Sequence, residues 1–205
     1  MMNLIILQRV IPLWKEVEYY KEYQEKLRAH LGEENANEIL SEALYLVSIG
    51  TNDFLENYYA LTERRCEFPS VQEYEDFLIG LAENFFTQIY GLGARKISLT
   101  GLPPMGCLPL ERAMNVLEFH NCVEEYNNLA LEFNGKLGWL VSKLNNDLPG
   151  LQMVDANVYD IFLQIVKNPS AFGKFLQFPL IVLLKEWVLI SSLLDSMKIC
   201  SVILF

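Results

Sequence analysis

Histidine is nearly absent from this 205-residue sequence, with His30 and His120 its only two. Cysteine occurs four times, at Cys66, Cys107, Cys122 and Cys200, never in C-x-x-C spacing. So few ligands without paired spacing argue against a zinc site, and no cofactor is expected. Basic residues are scarce as well: 16 Lys and Arg face 26 Asp and Glu, for a net charge of −10. Nucleic-acid recognition selects clustered Lys and Arg, so that class of partner is excluded. No repeat or low-complexity segment is present. Leu4-Ile5-Ile6-Leu7 is too short for a convincing signal peptide, and no small-residue cleavage site follows it; localisation stays unknown at this stage.

What is present is a globular composition, 52% hydrophobic and 20% charged, of a length that supports one domain with a real core. The chain is organised around Ala43-Leu44-Tyr45-Leu46-Val47-Ser48-Ile49-Gly50-Thr51-Asn52-Asp53. Its first half reads as a strand buried on both faces. Gly50 breaks the run, and Thr51, Asn52 and Asp53 follow as polar turn residues. Open α/β sheets build sites in the crevice beyond the carboxyl ends of their strands. The Asn52 carboxamide can donate to an oxyanion, and Asp53 can order the turn by bonding its own backbone. The same residues also suit an ordinary strand-to-loop exit.

Apolar residues at helical spacing, Leu13, Val17, Tyr20, Leu27 and Leu31, predict a first helix that stops at Gly32. A short helix over Asn35–Ser41 leads into the central strand. Glu56–Pro69 reads as a polar connection. Ser70-Val71-Gln72-Glu73 has capping-box form, and Val71, Tyr74, Leu78, Leu81 and Phe85 continue an apolar stripe from it. Ala94–Leu102 is the next strand, followed by the Pro103–Cys107 turn. A long helix from about Asn121 to Asn146 buries Val123, Tyr126, Leu129, Phe133, Leu137, Leu140 and Leu144. Pro149-Gly150 closes it, Leu151–Asp155 makes a third strand, and Tyr159–Lys167 a last helix. Strands separated by long helices predict a parallel sheet.

Ile49-Gly50-Thr51-Asn52-Asp53-Phe54 with Asn57-Tyr58-Tyr59 resembles a motif block of the plant GDSL esterase/lipase family, within the SGNH hydrolases. So do Gly93-Ala94-Arg95-Lys96, the run Gly101 to Pro109, Cys122 to Asn127 with Phe133-Asn134, and Tyr159-Asp160 through Asn168-Pro169. The resemblance implies a three-layer α/β/α, flavodoxin-like parallel sheet and carboxylic-ester hydrolysis, acyl lipids included, by a Ser-His-Asp arrangement. By that match Asn52 is an oxyanion-hole donor, within a site loop of Gly50, Thr51 and Asp53. The family's other landmarks do not match. Gly-Asp-Ser is nowhere in the sequence, and Leu27 and Leu117 stand three residues before the histidines, where D-x-x-H requires aspartate. The expectation is a partial hydrolase domain over residues 11–173, short of its N-terminal strands and its C-terminal catalytic segment. A divergent stretch, 1–10, precedes it. Such a sheet would leave a strand edge unpaired, an aggregation hazard.

The family is typically secreted, which makes Cys107 and Cys122, on either side of a loop of about fifteen residues, a possible disulfide worth roughly 3 kcal/mol; Cα atoms more than about 7 Å apart would forbid it. Without a signal peptide the thiols would stay reduced in the cytosol. Residues 174–205 form a hydrophobic tail unlike the family. Phe175–Leu194 has about the length of a bilayer span, but Pro179, Lys185 and Glu186 interrupt it, so an anchor, an unrelated tail and a helix packed on the core all stay open. Three functional readings follow: a hydrolase of esters whose chemistry a fuller form completes, a non-catalytic scaffold or interaction protein, and a membrane-tethered fragment.

Overall fold

The computed structural model describes residues 11–172; the expectations for residues 1–10 and 174–205 lie outside the described residues. The α/β class is as the sequence implies. Helices α1 (Leu13–Leu31) and α2 (Glu33–Glu42) precede strand β1 (Leu44–Ser48), and Gly32 joins them at φ 82°. A π-helix, Asp53–Tyr59, and the short α3, Thr62–Glu67, lead to α4, Val71–Gly91. Strand β2 (Lys96–Thr100), a 3₁₀ turn at Met105–Cys107 and α5 (Pro109–Met114) follow. The long α6 (Glu124–Asp147), β3 (Gln152–Ala156), α7 (Tyr159–Lys167) and a 3₁₀ turn at Pro169–Phe172 complete the described chain.

The three strands run parallel in the order β1-β2-β3. Their register aligns Tyr45, Ile97 and Met153 in one row and Val47, Leu99 and Asp155 in another on the same face. The first five of these are at most 3% exposed. Tyr20 of α1 meets Tyr45 through a 2.6 Å contact of their hydroxyls, and Phe85 and Ile89 of α4 line a small hollow with Tyr20, Tyr45 and Val47. From α6, Asn145 brackets Met153 by accepting from its N–H and donating to its C=O, both at 2.8 Å.

Four expectations need correction. Strand β1 is not buried on both faces: Leu44 is 37% exposed and Ser48 is exposed, and in the row that pairs Leu46 with Ser98 and Val154 the last is 58% exposed. The described residues leave that side of the sheet open, and β1 stands at its edge. The polar connection over Glu56–Pro69 is largely helical, because Tyr58 within it, 6% exposed, and Phe54 just before it, 0% exposed, are core residues. Leu81 faces solvent at 45%, its expected place in the stripe taken by Ala82 at 1%. Val123 and Tyr126 are only half-buried, at the first turn of α6. The capping box is real, with the Ser70 hydroxyl accepting from the Glu73 N–H at 3.2 Å.

Candidate active site at the carboxyl end of the sheet

Gly50 decides how the chain leaves β1. It is buried at φ 110°, a conformation that L side chains rarely adopt. A Cβ there would come 3.0 Å from Leu102 Cδ2 and 3.2 Å from Phe133 Cε1. The next residues are helical at once: the Gly50 carbonyl accepts from the Phe54 N–H at 3.1 Å. Asn52 therefore does not sit in an open loop, as the polar run suggested. It occupies the first helical turn (φ −71°, ψ −29°) and is exposed. That turn is fixed from beneath by aromatic packing. Phe54 meets Phe133 edge-on at 5.0 Å and Tyr74 at 5.8 Å, and Tyr58 stacks on Tyr74 at 5.2 Å.

The neighbouring exit, from β2, carries the second half of the region. Asn134 of α6 accepts from the Leu102 N–H at 2.6 Å and donates to the Leu102 C=O at 2.9 Å. Two turns nearer the start of α6, Asn127 accepts from the Gly106 N–H at 3.0 Å. Cys107 and Cys122 form a disulfide with Cα atoms 4.4 Å apart. Because β1 and β2 are parallel and paired, both exits stand on one edge of the sheet. Leu102 touches the place where Gly50 lacks a side chain, and Tyr59 packs on Tyr126 at 4.4 Å. Gly50, Thr51, Asn52 and Asp53 thus share one turn, which packs against Leu102 at the exit from β2.

No hydrogen bond joins a serine to a histidine among the described residues. His120 bonds the Arg112 carbonyl through Nδ1 at 3.0 Å and is exposed; His30 is exposed in the last turn of α1. Neither the hollow beneath Tyr45 nor the shallow depression along Gly80–Gly91 is lined by Asn52. Among the described residues there is also no metal-holding cluster of His, Cys, Asp or Glu, and no helix long and apolar enough to cross a membrane.

A GDSL-like Lipase/Acylhydrolase family model matches residues 8–174. This chain belongs to that family. It is 59% identical over 164 residues to GDSL esterase/lipase At4g26790 of Arabidopsis thaliana, covering 80% of this chain and 46% of that protein. At2g42990 and At2g04570, GDSL esterase/lipases of the same plant, are 57% and 55% identical over the same length, with 80% of this chain and 47% of each covered. The chain spans about half the length of these curated relatives.

Within this family member, Asp53 has partners that the sequence did not reveal. Its carboxyl is withdrawn from water, and that burial raises its pKa from 3.8 to about 6 against the opposing pull of Arg64 and an Asn57 hydrogen bond. Nothing local marks Asn57 and Arg64 as its partners, since one is within the π-helix and the other on α3. A carboxyl whose folded pKa lies above its unfolded value stabilises fully below the unfolded value and loses that contribution as pH rises through the folded one. Asp53→Asn is therefore expected to be more stable than the parent near pH 8, by about 1–3 kcal/mol. The gap should close below about pH 4. Urea midpoints across that range check it, and a variant less stable than the parent near pH 8 would contradict it.

Proposed function

We propose that this chain is the scaffold of a carboxylic-ester hydrolase acting on acyl esters, in which Asn52 supplies an oxyanion-hole N–H. The supporting observation is the placement of Asn52: exposed, in the first helical turn after a parallel strand, on a backbone that Gly50 and the Phe54–Phe133–Tyr74 packing hold rigid. A donor held in place before the reaction stabilises a developing oxyanion without reorganising, and one such donor is worth roughly 10²–10³ in rate. It accelerates nothing by itself. Loss of a nucleophile or base costs on the order of 10⁶ in kcat, and this sequence holds neither Gly-Asp-Ser nor D-x-x-H. The chain alone is thus a non-catalytic scaffold, and the disulfide suits an oxidising compartment.

The test has two arms. The recombinant chain, assayed on a short-chain nitrophenyl ester, should turn over no faster than its Asn52→Ala variant. A chimera in which residues 11–172 replace their counterpart in the Arabidopsis relative At4g26790 should hydrolyse the ester and lose about 10²–10³-fold on Asn52→Ala. Hydrolysis by the chain alone that falls with that substitution would overturn the scaffold reading. A chimera that is active and indifferent to Asn52→Ala would overturn the oxyanion role.

A further inference from the structure

The disulfide-closed segment between Cys107 and Cys122 carries the two most exposed large apolar side chains of the described residues, Leu117 and Phe119. Leu110, Met114, Val116, Leu117 and Phe119 are 66, 73, 65, 92 and 88% exposed. Side chains that stand this far out of the body do not line a groove; they project. Phe119 and His120 hold consecutive left-handed conformations, φ 52° and 61°, which cost non-glycine residues free energy and persist only where the surroundings impose them. Here they are imposed. The His120 N–H donates to the Asn115 carbonyl at 2.9 Å, and the Arg112 Nε donates to the His120 carbonyl at 3.0 Å. The Val116, Phe119 and Asn121 N–H groups likewise find carbonyls within the same segment.

We propose that this segment is a docking element for an uncharged lipid surface, carried on the exit from β2 at the same end of the sheet from which the Asn52 turn leaves β1. Three observations choose that occupant. The Val116, Phe119, His120 and Asn121 N–H groups are bonded within the segment, which lowers the cost of bringing this backbone to an apolar boundary. Five side chains are far fewer than the roughly 20–30 residues a side of a stable protein interface, whereas they suffice for shallow insertion, which scales with buried apolar area. The net charge of −10 opposes anionic surfaces, so zwitterionic lipid is favoured. The disulfide and the internal bonds order the segment in advance, so docking forfeits little conformational freedom. The inference rests on the acyl-ester reading and deepens it: the substrate is met as an aggregate, at the edge where the ester would reach Asn52.

The experiment measures vesicle binding by the whole oxidised chain, which needs no turnover. Phe119→Trp is the probe, with phosphatidylcholine vesicles containing lipids brominated on their acyl chains. Added quenching relative to the parent chain is expected in these vesicles, and weaker quenching in vesicles rich in phosphatidylglycerol. The double variant Leu117→Ser/Phe119→Ser should bind phosphatidylcholine at least about ten-fold more weakly, with an unchanged urea midpoint because both side chains are already in water. Equal binding by that variant, or no added quenching of Trp at position 119, would overturn the proposal. So would a dimer that the double variant dissolves, which would make a second copy the occupant. Vesicle binding together with an inactive chimera would sink only the ester reading. An active chimera in a chain blind to vesicles would sink only this one.

Discussion

Gly106→Ala is expected to leave no stably folded protein. A Cβ at this buried position would sit 1.9 Å from the Val123 carbonyl oxygen and 2.7 Å from its carbon. Both are backbone atoms, so no side chain can swing aside. Gly106 and Val123 are also tied directly, the Val123 N–H donating to the Gly106 carbonyl at 2.9 Å, and the disulfide closes next to them. The φ of Gly106 is not in the left-handed region; the contact alone forbids the methyl group. Opening it means pulling the 3₁₀ turn away from α6 and forfeiting the Asn127 bond. A cost above about 4 kcal/mol belongs to the rare, large class of single substitutions and consumes most of a typical domain's 5–15 kcal/mol. Gly135→Ala is the matched comparison. On α6 a Cβ at Gly135 meets nothing within 4 Å, so that variant should gain up to about 1 kcal/mol from helix propensity. Urea unfolding of both proteins decides it, and a Gly106→Ala protein with a midpoint near the parent's would refute the contact.

The two glycine positions show where the sequence was readable. Periodicity and local chemistry placed the elements: α1 and α7 have the ranges their apolar spacing predicts, Ser70 caps α4, and the three strands are parallel. Each of these rests on neighbours in the chain. Misreadings occurred where a distant partner decides. Asp53-Phe54-Leu55-Glu56-Asn57-Tyr58-Tyr59 looks polar and aperiodic to a 3.6-residue ruler, yet it coils as a π-helix because Tyr74 and Phe133, from two other helices, receive its rings. Nothing in the sequence around Glu75 marks it as buried. It is 0% exposed, and Lys136 from α6 reaches its Oε2 at 2.9 Å. At the site, Gly50 and Asn52 could be picked out because a strand, a glycine and a carboxamide follow one another. The partners of Asp53 and the clamps on Leu102 and Met153 could not, since neither Asn134 in the body of α6 nor Asn145 in its last turn carries a mark of which distant backbone it will bind.

Asn134→Ala should reveal how much such a clamp holds. Leu102 is 0% exposed, so its N–H and C=O have no access to water, and Asn134 serves both. Truncation would leave a buried donor and a buried acceptor unsatisfied, at roughly 1–3 kcal/mol each. The expected loss is thus about 2–6 kcal/mol. Asn35 is the natural control: it bonds the Leu31 carbonyl at 3.0 Å on the exposed surface, and its removal should stay within about 0.5 kcal/mol. The consequence extends to Asn52. Leu102 packs where Gly50 has no side chain, so releasing it loosens the floor under the helical turn that aims the candidate oxyanion donor. Hydrogen exchange should then show faster opening at the Phe54 N–H, which bonds the Gly50 carbonyl, while the N–H of Ala82, in the middle of α4, slows or speeds only with global stability. An Asn134→Ala protein within about 1 kcal/mol of the parent, with unchanged exchange at Phe54, would show that water or another side chain takes over the clamp.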